Sequence, residues 1–191
     1  MISLLPFNRL VAWVAIGYAA VLVLIALIMG APLNLHTVFK CGTALYLVLV
    51  AATSFGWKII WKWFPALNYS LFPLLDGEWN MTIHWRKEHM NGIAKAKATI
   101  RQTFLTISME VSADDSESET LIAQPKKDAE SGRPILYYVY RVTPKLKLGQ
   151  SIQPYLGSAI LKFFPAEGLG ELKGNYFTSV QSDGHFELSR P

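Results

Sequence analysis

The sequence predicts a membrane α-helical hairpin joined to an all-β domain, an eight-stranded up-and-down antiparallel β-barrel. Three observations carry this. Two long, uncharged apolar runs occupy the first third of the chain. The rest breaks into short segments of period-two alternation separated by turn residues. The charge is also partitioned. Residues 1–70 hold four cations, Arg9, Lys40, Lys58 and Lys62, and no acid, so the whole net charge of +4 lies there. The basic excess therefore borders apolar segments and does not form a nucleic-acid-binding domain, and no DNA or RNA partner is expected.

The first span, residues 10–29, reads LVAWVAIGYAAVLVLIALIM. At 1.5 Å per residue, twenty residues cover roughly 30 Å, the hydrocarbon thickness of a bilayer. The run is too long for the apolar core of a signal peptide. The second span, about 41–60, contains Gly42, Ala44, Ala51, Ala52 and Gly56, small residues that let membrane helices approach closely. They serve either packing within the hairpin or a face that meets other copies. A short connection, residues 30–39, makes the spans antiparallel neighbours. The one cysteine, Cys41, lies in an apolar stretch and reads as a small hydrophobe.

Orientation follows from the cations. Arg9 precedes the first span and Lys58 and Lys62 follow the second, while only Lys40 and His36 belong to the connection. The positive-inside bias places both termini in the cytoplasm of a multi-pass inner-membrane protein. In GWKIIWKW, residues 56–63, Trp57, Trp61 and Trp63 suit headgroup depth, and Lys58 and Lys62 reach phosphates from one helical face. Residues 1–64 thus form the transmembrane region, 65–76 a linker with Pro65 and Pro73, and 77–191 the barrel.

The strands follow in order. EWNMTIHW (78–85) places Trp79, Met81, Ile83 and Trp85 on one face. Asn91–Gly92 signals a hairpin turn. IAKAKATIRQT (93–103) alternates alanines with Lys95, Lys97, Thr99 and Arg101, and FLTISMEV (104–111) continues the pattern. ADDSESE (113–119) reads as an acidic loop, TLIAQ (120–124) as a short strand and KKDAESGRP (126–134) as another loop. ILYYVYRV (135–142), YLGSAILKFF (155–164), ELKGNYFTS (171–179) and HFELSR (185–190) complete the set, the last two joined at Asp183–Gly184. A two-sheet sandwich is the alternative arrangement.

Catalytic signatures are missing from this pattern. His84, His89 and His185 lack metal-ligand spacing, no glycine-rich loop precedes a helix, and no serine or cysteine sits in a nucleophile motif. The reading is a non-enzymatic protein without a metal.

Gly77–Glu78–Trp79 opens the first strand and Arg190 ends the last. This is similar to lipocalins, in which a Gly-x-Trp begins strand one and a late arginine packs over the indole as a barrel plug. Over the whole chain, the span pair, LLDGEWNMTIHW (74–85) and LKGNYFTSVQSDGHFELSR (172–190) resemble the effectors of bacterial cyclic-oligonucleotide antiphage signalling systems (CBASS). The likeness is to the SMODS-associating two-transmembrane, β-strand-rich class. The resemblance implies that a cyclic dinucleotide, made by a partner cyclic nucleotide synthase, is the activating ligand of the barrel. It also implies that binding drives homo-oligomerisation of the spans in the lipid bilayer, membrane disruption and abortive infection.

Such a ligand carries two bases and two phosphodiesters, so its site needs aromatic faces, donors and some cationic field. Base–aromatic stacking is worth roughly 1–3 kcal/mol per base. Tyr138 and Tyr140 share a strand face, and Tyr176 shares one with Gly174 and Thr178. Arg101, on one face with Thr99, can clamp a phosphate at the barrel mouth. Lys145 and Lys147 border the mouth on a loop. The same tyrosines could instead fill a solid core, leaving a scaffold. A dominantly aliphatic lining would mark a membrane-tethered, lipocalin-like carrier of a lipid or other small apolar ligand.

Overall fold

A computed structural model describes residues 7–29, 34–64, 66–145, 153–165 and 170–191. The chain divides into two compact units, residues 2–65 and, apart from Met1, residues 66–191.

The first unit is helical. α1 spans Phe7–Met29 and α2 spans Leu35–Ala51; a π-helical turn, Ala52–Gly56, continues into α3, Trp57–Trp63. α2 starts earlier than the apolar run suggests because Asn34 caps it. The Asn34 Oδ1 accepts from the Thr37 N–H at 2.8 Å and from the Thr37 hydroxyl at 2.7 Å. His36 and Lys40 therefore lie inside the helix and not in a connecting loop. Val11–Ile28 and Leu35–Trp63 are long and apolar enough to cross a membrane. Tyr18 on α1 donates to the Val38 carbonyl on α2 at 2.8 Å. Gly42 faces that tyrosine, since a Cβ there would stand 3.4 Å from its hydroxyl. Gly42 thus lies on the side of α2 that meets α1. Thr53 donates back to the Leu49 carbonyl at 2.8 Å, within the π-helical turn.

The second unit begins with a short helix, α4 (Ala66–Ser70), and closes into a barrel. The strands are β1 (Gly77–Lys87), β2 (Met90–Gln102), β3 (Ile107–Ala113), β4 (Ser116–Lys127), β5 (Pro134–Pro144), β6 (Tyr155–Phe164), β7 (Glu171–Thr178) and β8 (Ser182–Ser189). Each pairs antiparallel with its sequence neighbour, and β1 also pairs with β8. This is the up-and-down barrel, and the two-sheet alternative falls.

Three local expectations are corrected. The acidic segment is mostly strand: Glu117 and Glu119 lie on β4, where Glu119 meets Arg141 at 3.2 Å and Glu117 meets Lys145 at 3.3 Å. Ser116, Ser118 and Thr120 alternate with these glutamates, so both faces are polar and the hydrophobic period is invisible. Lys126 and Lys127 also belong to β4, and the connection to β5 starts at Asp128. Its carboxylate meets Lys162 at 2.7 Å and accepts from the Ser131 and Glu130 amides at 2.9 and 3.0 Å, which lowers its pKa well below the usual range.

The third correction concerns the hairpins. Asn91–Gly92 and Asp183–Gly184 are not turns. The chain reverses at Glu88–His89 and at Ser179–Gln181, with Glu88 and Gln181 at φ 54° and 58°. Thr178 brackets the second reversal, accepting from the Ser182 N–H at 3.1 Å and donating to the Ser182 carbonyl at 3.0 Å. The displaced glycines have another task. Gly92 and Gly184 are the register partners of Trp85 on either side. A Cβ on Gly92 would come within 2.8 Å of the Trp85 indole, and one on Gly184 would collide with the His84 carbonyl oxygen of the paired strand and come within 2.9 Å of the Tyr176 ring. Absent side chains make room for large aromatics inside the barrel.

One end of the barrel is packed solid. Phe72, Leu75, Trp79, Ile100, Met109, Leu136, Leu161, Leu172 and Leu188 are essentially inaccessible. Gln102 ties residues 73–76 beneath them. Its Oε1 accepts from the Leu75 N–H at 2.6 Å, its Nε2 donates to the Pro73 carbonyl at 3.2 Å, and its own N–H donates to the Asp76 carboxylate at 2.8 Å. No expectation from the sequence covered this buried glutamine.

Candidate functional site

The other end is hollow. A cavity of about 440 Å³ opens where Lys87, Asp115, Gln153, Val180 and Ser182 line the rim, within the usual range for ligand sites. Period-two geometry decides what faces it. β5 directs Leu136, Tyr138, Tyr140 and Val142 inward; the first is buried in the closed end and the other three line the cavity. On β6 the register partners of Tyr140 and Tyr138 are Gly157 and Ala159. A Cβ on Gly157 would collide with the Tyr140 ring. Tyr176 and Thr178 enter from β7, Phe186 from β8 and Met81, Ile83 and Trp85 from β1.

The aromatics form two parallel pairs. Tyr138 and Tyr140 stack with centroids 4.8 Å apart and planes 17° apart, and Tyr176 and Phe186 stack at 4.1 Å and 13°. Tyr140 tilts toward Phe186 at 6.2 Å, joining the pairs. Serine and threonine hydroxyls of Ser116, Ser118, Thr178 and Ser182 punctuate the lining, with one cation, Lys87, and one carboxylate, Asp115, among the described residues at the rim. Flat rings, hydroxyl donors and a single positive charge suit a planar, heteroatom-rich molecule better than an alkyl chain.

Burial pushes the Tyr138 hydroxyl up to about 12, with Ser118 and Thr120 hydroxyls moderating the shift. Tyr140, Tyr155 and Tyr176 are raised by the same cause. All four are therefore donors at neutral pH. Linkage fixes the consequence. A tyrosine titrates near 10 when unfolded, so the neutral folded form contributes full stability below that pH, lost as pH rises through the folded values. Thermal melts should hold a constant midpoint between neutral pH and about 10, then decline through the range around 12 set by Tyr138. Phenolate absorbance from the buried tyrosines should appear only with unfolding. Ionisation of all eight tyrosines near 10 in the folded protein would contradict the buried placement.

Of the residues read from the sequence as ligand contacts, Tyr138, Tyr140, Tyr176 and Thr178 converge on this cavity. Thr99 and Arg101 do not. They lie on the outer face of β2, where Arg101 pairs with Glu110 at 3.0 Å. Strand parity sends both outward once Ala98 and Ile100 face the core. Lys95 and Lys97 are exposed on the same outer face. Lys145 is held by the Ala113 carbonyl at 2.7 Å and by Glu117, and Lys147 lies outside the described residues. Trp85, Tyr155, Phe186 and the serine hydroxyls also line the cavity, and the sequence reading does not include them. Trp85 and Phe186 share an inward face with residues already assigned, and that parity was the available signal.

At the closed end, Trp79 is 1% exposed and donates from Nε1 to the Leu75 carbonyl at 2.8 Å. The Arg190 guanidinium lies 4.3 Å over its ring and donates to the Asp76 and Leu74 carbonyls at 2.9 and 3.2 Å. Gly77 sits at φ +121°, and a Cβ there would meet Arg190 Nη1 at 2.7 Å. The Gly-x-Trp and the late arginine thus form one interlocked plug, remote from the cavity. In the helical unit, Trp57 and Trp61 are buried and meet edge to face at 5.7 Å, while Trp63 is 78% exposed. Lys58 lies 5.9 Å over the Trp57 ring, and Lys62 is exposed in the last turn of α3.

Two comparisons with known proteins bear on this site. The family model described as "Cap15, cyclic dinucleotide receptor domain" matches residues 70–190, which take in all eight strands. CD-NTase-associated protein 15 of Staphylococcus schleiferi is 28% identical over 133 residues, covering 70% of this chain and 69% of that protein. The matched stretch contains the hollow end with its paired aromatics and the Trp79–Arg190 plug alike, so the chain belongs to the Cap15 cyclic dinucleotide receptor family.

Proposed function

We propose that this protein is a second-messenger-gated membrane effector of antiphage defence. A cyclic dinucleotide made by an associated cyclic nucleotide synthase enters the open end of the barrel. Its bases stack on the Tyr138–Tyr140 and Tyr176–Phe186 pairs, and its polar atoms meet the Ser118, Tyr140 and Tyr155 hydroxyls of the lining. The observation that carries this reading is the aromatic, hydroxyl-lined cavity inside a cyclic dinucleotide receptor domain. The lining favours it over the lipid-carrier alternative, which would want aliphatic walls.

The apolar hairpin supplies the output. α1 and the α2–α3 run cross the bacterial inner membrane with both termini and the barrel on the cytoplasmic side, in keeping with Arg9, Lys58 and Lys62 at the outer ends of the spans. Ligand binding favours an assembled state in which the hairpins of several copies breach the bilayer. Moving such an equilibrium from mostly apart to mostly assembled takes on the order of 5 kcal/mol of differential binding. Confinement of copies to one membrane raises their effective concentration and helps.

The test is dye release from phosphatidylethanolamine–phosphatidylglycerol vesicles carrying the full chain, titrated with cyclic di-GMP, cyclic di-AMP and cyclic GMP–AMP. Release with one of them and not with linear dinucleotides is expected. Binding without release would overturn the membrane half of the proposal. Gly42→Leu should weaken release and leave dinucleotide affinity unchanged, because side-chain atoms beyond the Cβ would crowd the Tyr18 hydroxyl that bonds the Val38 carbonyl. Wild-type release from that variant would show that hairpin packing is dispensable.

A further inference from the structure

The seams of the barrel are not alike. β1 and β2 stay in register from Gly77–Ile100 to Lys87–Met90, and β5 and β6 from Ile135–Lys162 to Val142–Tyr155. β3 and β4 are registered only at Val111–Ser118 and Ser112–Glu117, beside their connecting turn. Toward the closed end, side chains take over from the ladder at Met109. Its N–H donates to the Thr120 Oγ1 at 2.7 Å, and its carbonyl accepts from the Thr120 hydroxyl and from the Tyr138 hydroxyl, both at 2.9 Å. β4 then breaks register between Thr120 and Ile122, leaving Ile122 61% exposed. The wall is also thin here. Val111 and Ser118 border both the internal cavity and a groove on the outer face.

We propose that this seam is the joint through which a ligand in the cavity acts on the outside of the barrel. The Tyr138 hydroxyl leaves the Met109 carbonyl for an anionic oxygen of the ligand, so that beyond Val111–Ser118 the seam is held at Met109 by Thr120 alone and opens more often. The proposal rests on the reading that a cyclic dinucleotide occupies the cavity. A hydrogen bond to an ionised oxygen is shorter and roughly twice as strong as one to a neutral carbonyl, so the exchange is favourable. The Met109 carbonyl keeps its bond from Thr120, so no buried acceptor is orphaned. Losing a bond matters most on this seam, because its ladder is the shortest; the long ladders elsewhere hold the barrel together while it opens. The same tyrosine touches the ligand with its ring and the seam with its hydroxyl, which links occupancy to the exterior without any long relay.

Hydrogen–deuterium exchange on the full chain in detergent micelles reads the seam directly at the amides of residues 107–111. Whichever of cyclic di-GMP, cyclic di-AMP and cyclic GMP–AMP raises the melting temperature should speed exchange there by about five- to tenfold, the change that one net hydrogen bond makes. Thr120→Val, outside the cavity, should show comparable acceleration with no ligand and should still bind. Tyr138→Phe keeps the stacking ring; its seam should exchange fast without ligand and gain nothing further with it. Unchanged or slower exchange at 107–111 in a protein whose melting point has risen would overturn the proposal, as would wild-type exchange in Thr120→Val. Failure of every dinucleotide to shift the melting point would instead sink the reading of the cavity, and the ligand-driven opening with it.

Discussion

Tyr140→Ala should weaken cyclic dinucleotide binding by about tenfold to a hundredfold, the loss expected when one base forfeits its stacking face. Tyr140 has the largest expected effect because of where it stands. It is 4% exposed, stacks on Tyr138 and leans toward Phe186, so it touches both aromatic pairs. Its ring lies across β6 only because residue 157 is a glycine. Tyr140→Phe separates the ring from its hydroxyl and should keep most of the affinity. Tyr176→Ala should lose a similar amount through the second pair. Isothermal titration of the full chain measures each, and melting curves without ligand show whether the barrel has survived the truncation. Wild-type affinity in a folded Tyr140→Ala would remove the paired rings from the site.

The second large effect falls on stability. Trp79→Ala should cost about 3–5 kcal/mol, the range for truncating a buried aromatic, and lower the melting midpoint by roughly 10–20 °C in a domain of this size. The indole fills the closed end, its N–H is satisfied by the Leu75 carbonyl, and its face supports the Arg190 guanidinium. Arg190→Ala should cost less, since the carbonyls of Leu74 and Asp76 that it leaves are only part-buried. Arg190→Lys should recover only part of that loss, because an ammonium lacks the planar fork that donates to both carbonyls while lying on the ring. Equal midpoints for wild type and Trp79→Ala would mean that the plug does not hold the barrel closed.

The architecture was legible because two periods dominate the chain. Twenty uncharged residues at 10–29 and the alternation of alanines with Lys95, Lys97 and Thr99 on β2 point to a membrane hairpin and a sheet, with the closure into a barrel rather than a sandwich left to the strand pairing. The likeness to two-transmembrane CBASS effectors rested on the same features and agrees with the family found. Local geometry was less legible, for physical reasons. Asn91–Gly92 and Asp183–Gly184 have turn chemistry, but their glycines serve tertiary packing around Trp85 and Tyr176, and tertiary demand overrode local preference. The polar alternation of Ser116–Thr120 carried no hydrophobic signal, so part of β4 read as a loop.

The site was half legible. Face sharing placed Tyr138 with Tyr140 and Tyr176 with Thr178, because two residues apart on a strand means one side of the wall. Which strands face one another across a closed barrel is a non-local fact, and Phe186 stacking on Tyr176 could not be read from spacing. Arg101, with Thr99 on its face, suits a phosphate clamp at the barrel mouth by residue type alone, whereas Glu110 takes Arg101 on the outside. The rim offers Lys87 alone among the described residues of the lining. Recognition must therefore rest on stacking and neutral donors more than on charge, and affinity should depend only weakly on salt.

A structure of the full chain with bound cyclic dinucleotide tests the central claim most directly. The account predicts both bases inside the barrel, one against the Tyr138–Tyr140 pair and the other against Tyr176–Phe186, with a phosphodiester oxygen within hydrogen-bond distance of the Tyr138 hydroxyl. A ligand seated on the outer groove beside Lys97 and Glu110, with those rings still packed against each other and the cavity empty of it, would contradict the account.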